Sequence, residues 1–490
     1  MSFSKKGQID TDYLDNNIKI GIFAADFRIS EMSNRPAQTF ILVALVTILL
    51  LAMHFLPQIT VWDRHLRAVN ILSDVIPEVY GNDNLEKEDT AVVMPMKQLI
   101  ARNDSLQNAE TDTLRHHAPI PEGVTPVEDY SEGSVHGMES FYAALDNVNN
   151  MDRPVRVGYW GDSYIEGDIL VCDLREQLQQ KFGGSGVGWV DCGKTSNSLR
   201  PTVVQKPSGF GSYAVVQKQY NSALLGPSQR YFKAESNASL TYSGTKYRKN
   251  LDHWDRASLF FRTDEPITIT ATINGEPQTF YAEAAPNIQE VHVDGPMSRV
   301  KWNINGSNAS TIFYGASLEP HQGVSVDNFS MRGCAGMTLS KIPEQTLSQM
   351  NSLYPYDLII LQFGLNAVNE HSGSKWFSHY QQQMGSVISR FKRAYPNASI
   401  LVVSMPDRGS RQNGQIVTMR GVEGMVACQQ RIAMENKVAF LNFFQMMGGR
   451  NSIAELVNRR MVGHDYTHPS YGGGRLLATK MMASLMAGYE

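Results

Sequence analysis

The chain has 490 residues, 42% of them hydrophobic and 19% charged, an ordinary globular balance with length for two or three domains and apolar material for sizeable cores. A formal net charge of −4, with Lys and Arg scattered along the chain, excludes nucleic acid as a partner class. Cys172, Cys192, Cys334 and Cys428 form no C-x-x-C pair and no metal-ligand spacing; their even number permits disulfides, and four thiols in so long a chain equally fit buried small residues.

Residues 37–56 carry no formal charge and are closed by Pro57. About twenty apolar residues cross a bilayer as a helix, so this stretch reads as a transmembrane anchor with Gln38 and His54 near the interfaces; the alternative is a buried core helix. Residues 1–36 are mostly polar and no A-x-A cleavage site follows, unlike a signal peptide. Lys5, Lys6, Lys19, Arg28 and Arg35 precede the span, against Arg64 and Arg67 after it. The positive-inside bias predicts a cytoplasmic N-terminus and a single-pass inner-membrane protein whose folded part faces the periplasmic side. Residues 82–133, polar, mixed in charge and holding Pro119, Pro121 and Pro126, predict a spacer with one short helix near 94–108, and the spacer as a whole is taken as 58–133. Met138, Phe141, Tyr142, Leu145 and Val148 then recur at helical spacing, so a helix over 136–149 opens the folded domain, whose first part is 134–197.

Residues 155–168, V-R-V-G-Y-W-G-D-S-Y-I-E-G-D, predict a strand, a tight turn and a helix, with Ser163 at the turn. A serine at that edge presents its hydroxyl, and a backbone N–H aimed at developing negative charge. The alternative for Asp162 or Ser163 is a helix cap. A helix over 169–182 ends at Gly183-Gly184. Residues 188–195, G-W-V-D-C-G-K-T, satisfy the phosphate-loop pattern letter for letter, but a helix and glycines precede them where a strand is required, so Lys194 is assigned to a loop. From 198 to 320 short alternating runs separated by turn residues, Asn274-Gly275 and Asn305-Gly306 among them, predict an inserted β-sandwich. Its Trp254, Tyr231, Tyr242 and Phe280 are read as core in preference to a sugar-stacking platform.

The α/β pattern returns over 321–490. A strand beginning near 323 ends in a turn holding Gly333 and Gly336, and a continuous apolar strand over 356–363 ends in Gly364-Leu365-Asn366-Ala367. Two βα repeats follow: helix 376–395, strand 399–405, helix 416–436 and strand 438–443. Arg408 falls at a strand's C-terminal end, on the ligand-binding edge of such sheets, and is read as an exposed loop arginine. Asp465 and His468, three apart, precede Pro469 and a closing helix over 473–488, so a carboxylate can support the imidazole locally; the alternatives are a cap with a surface histidine, or His464 as the working residue. Five strands alternating with helices predict a parallel five-stranded sheet in a three-layer α/β/α arrangement.

Gly161-Asp162-Ser163, the glycine turn at Gly333, with Gly336 in reserve, Gly364-Leu365-Asn366 and Asp465-x-x-His468 come in the order of the blocks of the SGNH (GDSL-type) hydrolases, which the 161–468 region resembles. Ala367 stands where those proteins usually carry an acid. The resemblance implies Ser163 as nucleophile, His468 as its base and Asp465 as the group orienting His468. It implies an oxyanion hole from the N–H groups of Ser163 and Gly333 and the amide of Asn366, and no cofactor or metal. A β-rich insert between the first two blocks is similar to that of peptidoglycan O-acetylesterases, where it is carbohydrate-binding-module-like. The expected activity is therefore removal of O-acetyl groups from a cell-envelope polysaccharide such as peptidoglycan. The alternatives are acetyl transfer onto such a polymer, with a membrane-bound O-acyltransferase as partner, and a non-catalytic envelope-binding scaffold.

Overall fold

The computed structural model describes residues 119–194 and 200–489, with Ile41, Ala44, Leu45 and the two-residue strands Thr60–Val61 and Arg64–His65 before them. The expected anchor at 37–57 and most of the 58–133 spacer lie outside the described residues. Among the described residues no helix is long and apolar enough to cross a membrane. The compact unit that carries the site spans 95–490.

That unit opens with strand β1 (Val127–Asp129), helix α1 (Met138–Asp146), strand β2 (Val155–Gly161) and helix α2 (Val171–Phe182). Nine strands follow: β3 (Gly188–Val190), β4 (Val203–Ala214), β5 (Arg230–Gly244), β6 (Trp254–Thr263), β7 (Ile267–Ile273), β8 (Glu276–Ala282), β9 (Ala285–Met297), β10 (Arg299–Asn305) and β11 (Ile312–Glu319). The chain then runs through β12 (Val324–Ser330), α3 (Glu344–Leu353), β13 (Leu358–Gln362), α4 (Ser374–Ala394) and β14 (Ser399–Val403). It closes with hairpin β15 (Gly409–Gln412) and β16 (Gln415–Thr418), α5 (Val422–Glu435), β17 (Ala439–Leu441), α6 (Phe443–Met447), α7 (Ser452–Asn458) and α8 (Tyr471–Tyr489).

The first sheet has the order β12-β2-β13-β14-β17-β1. Its first five strands are parallel and β1 joins antiparallel to β17. Every residue of the five parallel strands is buried, since helices cover both faces; β13, β14 and β17 are nearly all apolar, whereas β2 buries Arg156 and β12 buries Ser325, Asp327, Asn328 and Ser330. Trp160 on β2 fixes the middle of the core, stacked on Phe329 at 4.5 Å and edge-on to Tyr356 and Phe391.

Several expectations are corrected. Val127–Asp129 was assigned to the spacer, yet it supplies a sixth strand; its three residues are too few to show an alternation. Asp129 also holds the next helix, accepting the Met138 N–H at 2.7 Å. The helix expected over 416–436 begins at Val422, because Asn413 and Gly414, at φ 49° and 79°, turn the β15–β16 hairpin. The strand expected over 438–443 stops at Leu441, where Asn442 caps α6 by accepting the Gln445 N–H. Helix α3 was not anticipated.

The insert is a nine-stranded, antiparallel sheet of order β8-β7-β10-β5-β11-β6-β9, with β3 added on β11 and β4 on β5. Its inward side chains enclose a second core containing Trp254, Tyr242 and Trp302, while Tyr231 faces the α/β core and Phe280 packs half-buried on the second. All four aromatics singled out from the sequence are thus packing residues. The Asn274-Gly275 hairpin forms as expected, at φ 52° and 90°. The phosphate-loop look-alike begins as β3, and Lys194 is exposed on the turn after it. All four cysteines are free and buried. At the junction of the two sheets Arg156 on β2 makes a bidentate ion pair with Glu319 on β11, at 2.9 and 2.7 Å, and Asp327 on β12 accepts the Trp189 N–H at 2.8 Å and the Tyr356 hydroxyl at 2.7 Å.

Candidate active site

Strand β2 ends at Gly161, where a Cβ would lie 2.9 Å from Ile165 and 3.0 Å from the Gln362 carbonyl oxygen, closer than ordinary packing allows without a shift of those neighbours. Ser163 sits on that turn, half-buried, between the buried Asp162 and Tyr164. The loop before α8 brings His468 to it from the other end of the chain. The Ser163 hydroxyl is 2.7 Å from His468 Nε2, and His468 Nδ1 is 2.6 Å from Asp465 Oδ2. The second carboxylate oxygen, Oδ1, accepts the N–H groups of Thr467 and His468, both at 3.1 Å. With Nδ1–H donating to Asp465, Nε2 carries the lone pair that accepts the hydrogen bond from the Ser163 hydroxyl. Burial alone would raise the Asp465 carboxyl, but the His468 hydrogen bond and these two N–H groups hold it below its ordinary value. His464 is exposed and has no part in this chain of bonds.

The two loops expected to donate to an oxyanion flank Ser163 at neighbouring strand ends, since β12 and β13 are the two partners of β2. The Asn366 side-chain N–H donates to the Cys334 carbonyl at 3.0 Å, which fixes the amide plane and leaves its second N–H for another acceptor. Gly333 is exposed at φ 76° with open space around it, whereas Gly336 is buried and its N–H is engaged by Cys334 Sγ at 3.3 Å. Of the two glycines, Gly333 is the exposed one. Ala367, in the acid's place, is buried, and its carbonyl accepts the Trp376 indole N–H.

Three supports of this site were not read from the sequence. Arg408, expected to be exposed, is half-buried and donates to the Leu365 carbonyl at 3.0 Å, bracing the loop that carries Asn366. Its place at a sheet edge was the available signal. Residues 227–230 of the insert brace the two ends of the Gly333 loop and strand β2: Gln229 Oε1 accepts the Thr338 hydroxyl at 2.6 Å, Arg230 donates to the Ser330 carbonyl at 3.1 Å, and the Pro227 carbonyl accepts the Trp160 indole N–H at 2.8 Å. Asp162 is fully enclosed, with Oδ1 accepting the Tyr164 N–H at 2.9 Å and Oδ2 lacking a hydrogen-bond partner. Burial pushes its carboxyl up to about 7, against the opposing pull of the Tyr164 N–H and of His468. Among the described residues no group of three or more His, Cys, Asp or Glu is placed to hold a metal ion.

No protein-family model and no curated protein matches this sequence. Fold and strand-edge geometry define the class: the chain has the fold of an SGNH-type hydrolase carrying a β-rich insert. The particular solved structure behind that statement is one described as a peptidoglycan O-acetylesterase, 20% identical, covering 74% of this chain and 98% of its own at a TM-score of 0.61. A family two carbohydrate esterase from Clostridium thermocellum is 13% identical, covering 54% of this chain and 96% of its own at a TM-score of 0.27, too low to carry an argument.

Proposed function

We propose that this chain is a serine esterase that removes O-acetyl groups from a cell-envelope polysaccharide such as peptidoglycan, anchored by residues 37–57 with its folded unit on the periplasmic side. The observation that carries the reading is the unbroken hydrogen-bonded chain from the Ser163 hydroxyl through His468 to Asp465. Ser163 Oγ attacks the ester carbonyl carbon as its proton passes to His468 Nε2, and Asp465 stabilises the imidazolium. The oxyanion takes hydrogen bonds from the N–H groups of Ser163 and Gly333 and from the free N–H of Asn366. Collapse expels the sugar hydroxyl, which leaves with the proton from Nε2. Water then enters on the acyl-serine by the same route and acetate departs. The choice of polysaccharide is supported by the solved structure that shares the fold, which is described as a peptidoglycan O-acetylesterase.

The test is hydrolysis of a chromogenic acetate ester by the full chain, with and without a sugar acceptor. Acetate released to water, and lost in Ser163→Ala, supports the esterase. Turnover that depends on the acceptor replaces it with the transferase, and an inert wild type leaves the scaffold.

A further inference from the structure

We propose that a cationic cleft beside the active site binds a carboxylate of the polymer, so that the acetylated chain is an acidic glycan; this rests on the esterase reading above. The cleft, about 500 Å³, lies between the insert's 246–253 loop and helices α2 and α8, and Lys246, Arg248, Lys249 and Arg475 line it together with Tyr247 and the carboxylates of Glu176 and Asp252. Its construction is unusual in one respect: a single buried carboxylate, Asp173 on α2, serves two arginines. Arg248 donates to it at 2.8 and 3.2 Å and Arg475 at 3.0 Å, and the Arg475 side chain is 59% exposed. The other nearby carboxylates are also engaged. Glu176 accepts the Lys249 N–H at 3.0 Å, and Asp252 pairs with His253 at 2.9 Å. The cations Lys246, Arg248, Lys249 and Arg475 therefore outweigh Asp173, Glu176 and Asp252, with Lys246 and Lys249 exposed. A planar guanidinium with a free edge, flanked by ammonium groups, suits a planar carboxylate.

The cleft connects to the reaction centre through two rings. Tyr247 meets Tyr471 edge-on at 5.8 Å, and the Tyr471 hydroxyl donates to the Gly167 carbonyl at 3.4 Å. Gly167 lies in the short 3-10 helix Glu166–Asp168, four residues after Ser163, and Tyr471 opens α8 just beyond His468. A sugar lying over these half-exposed rings would have its acidic neighbour at the cleft and its ester at Ser163. No aliphatic side chain lines the cleft, so it offers no seat to an acyl chain, which argues against a lipid headgroup.

The experiment is a calorimetric titration of full-length Ser163→Ala protein with a galacturonate hexamer and with xylohexaose. The uronate is expected to bind at least tenfold more tightly, and Lys246→Ala/Lys249→Ala in the same background to lose about tenfold of that affinity without a change in melting temperature. Binding should weaken as salt is raised. Equal affinity for the two hexamers, or an unaltered double variant, overturns the proposal. So does binding to phosphatidylglycerol vesicles in the absence of binding to the uronate. Because this readout needs no turnover, uronate binding by a protein inert on the chromogenic ester supports the cleft while removing the esterase.

Discussion

Asp162→Asn tests the electrostatics beneath Ser163. The wild-type carboxyl is fully enclosed, and its value of about 7 stands against an ordinary 3.8. Between those values the folded protein holds a proton that the unfolded chain has released. Stability contributed by this group therefore falls as pH rises from about 4 to about 7, and the whole penalty is present above 7. At about 1.4 kcal/mol per pH unit, the ceiling is about 4 kcal/mol. Asparagine keeps an oxygen for the Tyr164 N–H and does not titrate. Placing its amide where Oδ2 has no partner adds an offset that does not vary with pH. Asp327, which burial pushes up to about 6, is common to both proteins and cancels in the difference. Denaturant midpoints for both proteins at several values between about pH 4.5 and pH 8.5 give the variant-minus-wild-type stability. It should climb by a few kcal/mol across the range. Parallel curves would mean that Asp162 is ionised throughout and the burial argument is wrong.

If the proposed esterase mechanism holds, Asn366→Ala removes an oxyanion donor together with the tie to Cys334, and kcat on a chromogenic acetate ester should fall about 10² to 10³-fold. Asp465→Asn replaces a carboxylate whose side chain is 52% exposed; steady-state assays should show kcat about 10² to 10³-fold lower, less than for a buried triad acid because water partly replaces its support of the imidazolium. Arg230→Met takes away the brace on the Ser330 carbonyl, and initial-rate measurements should find kcat about tenfold down with KM little changed, since the loop it steadies meets the transition state.

The α/β framework was legible because strands buried on both faces are largely apolar, as Leu358–Leu361 and Ile400–Val403 are, and because the first of these runs into Gly364. Ser163, Asp465 and His468 were singled out by the resemblance of their blocks to those of the SGNH hydrolases, and only the fold brings positions 305 residues apart to within a hydrogen bond. What escaped depends on partners distant in sequence. Nothing around Gln229 and Arg230 announces that they reach the Gly333 loop, and Lys246 to Lys249 read as scattered charge until Asp173 gathers two arginines beside them. The Asn413-Gly414 hairpin was present in the letters but lay beside a helical pattern that was extended over it.

The contacts of residues 227–230 bear on how this protein can be taken apart. A graft that exchanged the whole 198–320 region for a foreign module would also remove the Gln229 and Arg230 supports, so the transplant would inherit a floppy rim around its nucleophile. A workable excision would spare that short bridge and cut on its far side, where the seam between modules is mechanical as well as sequential.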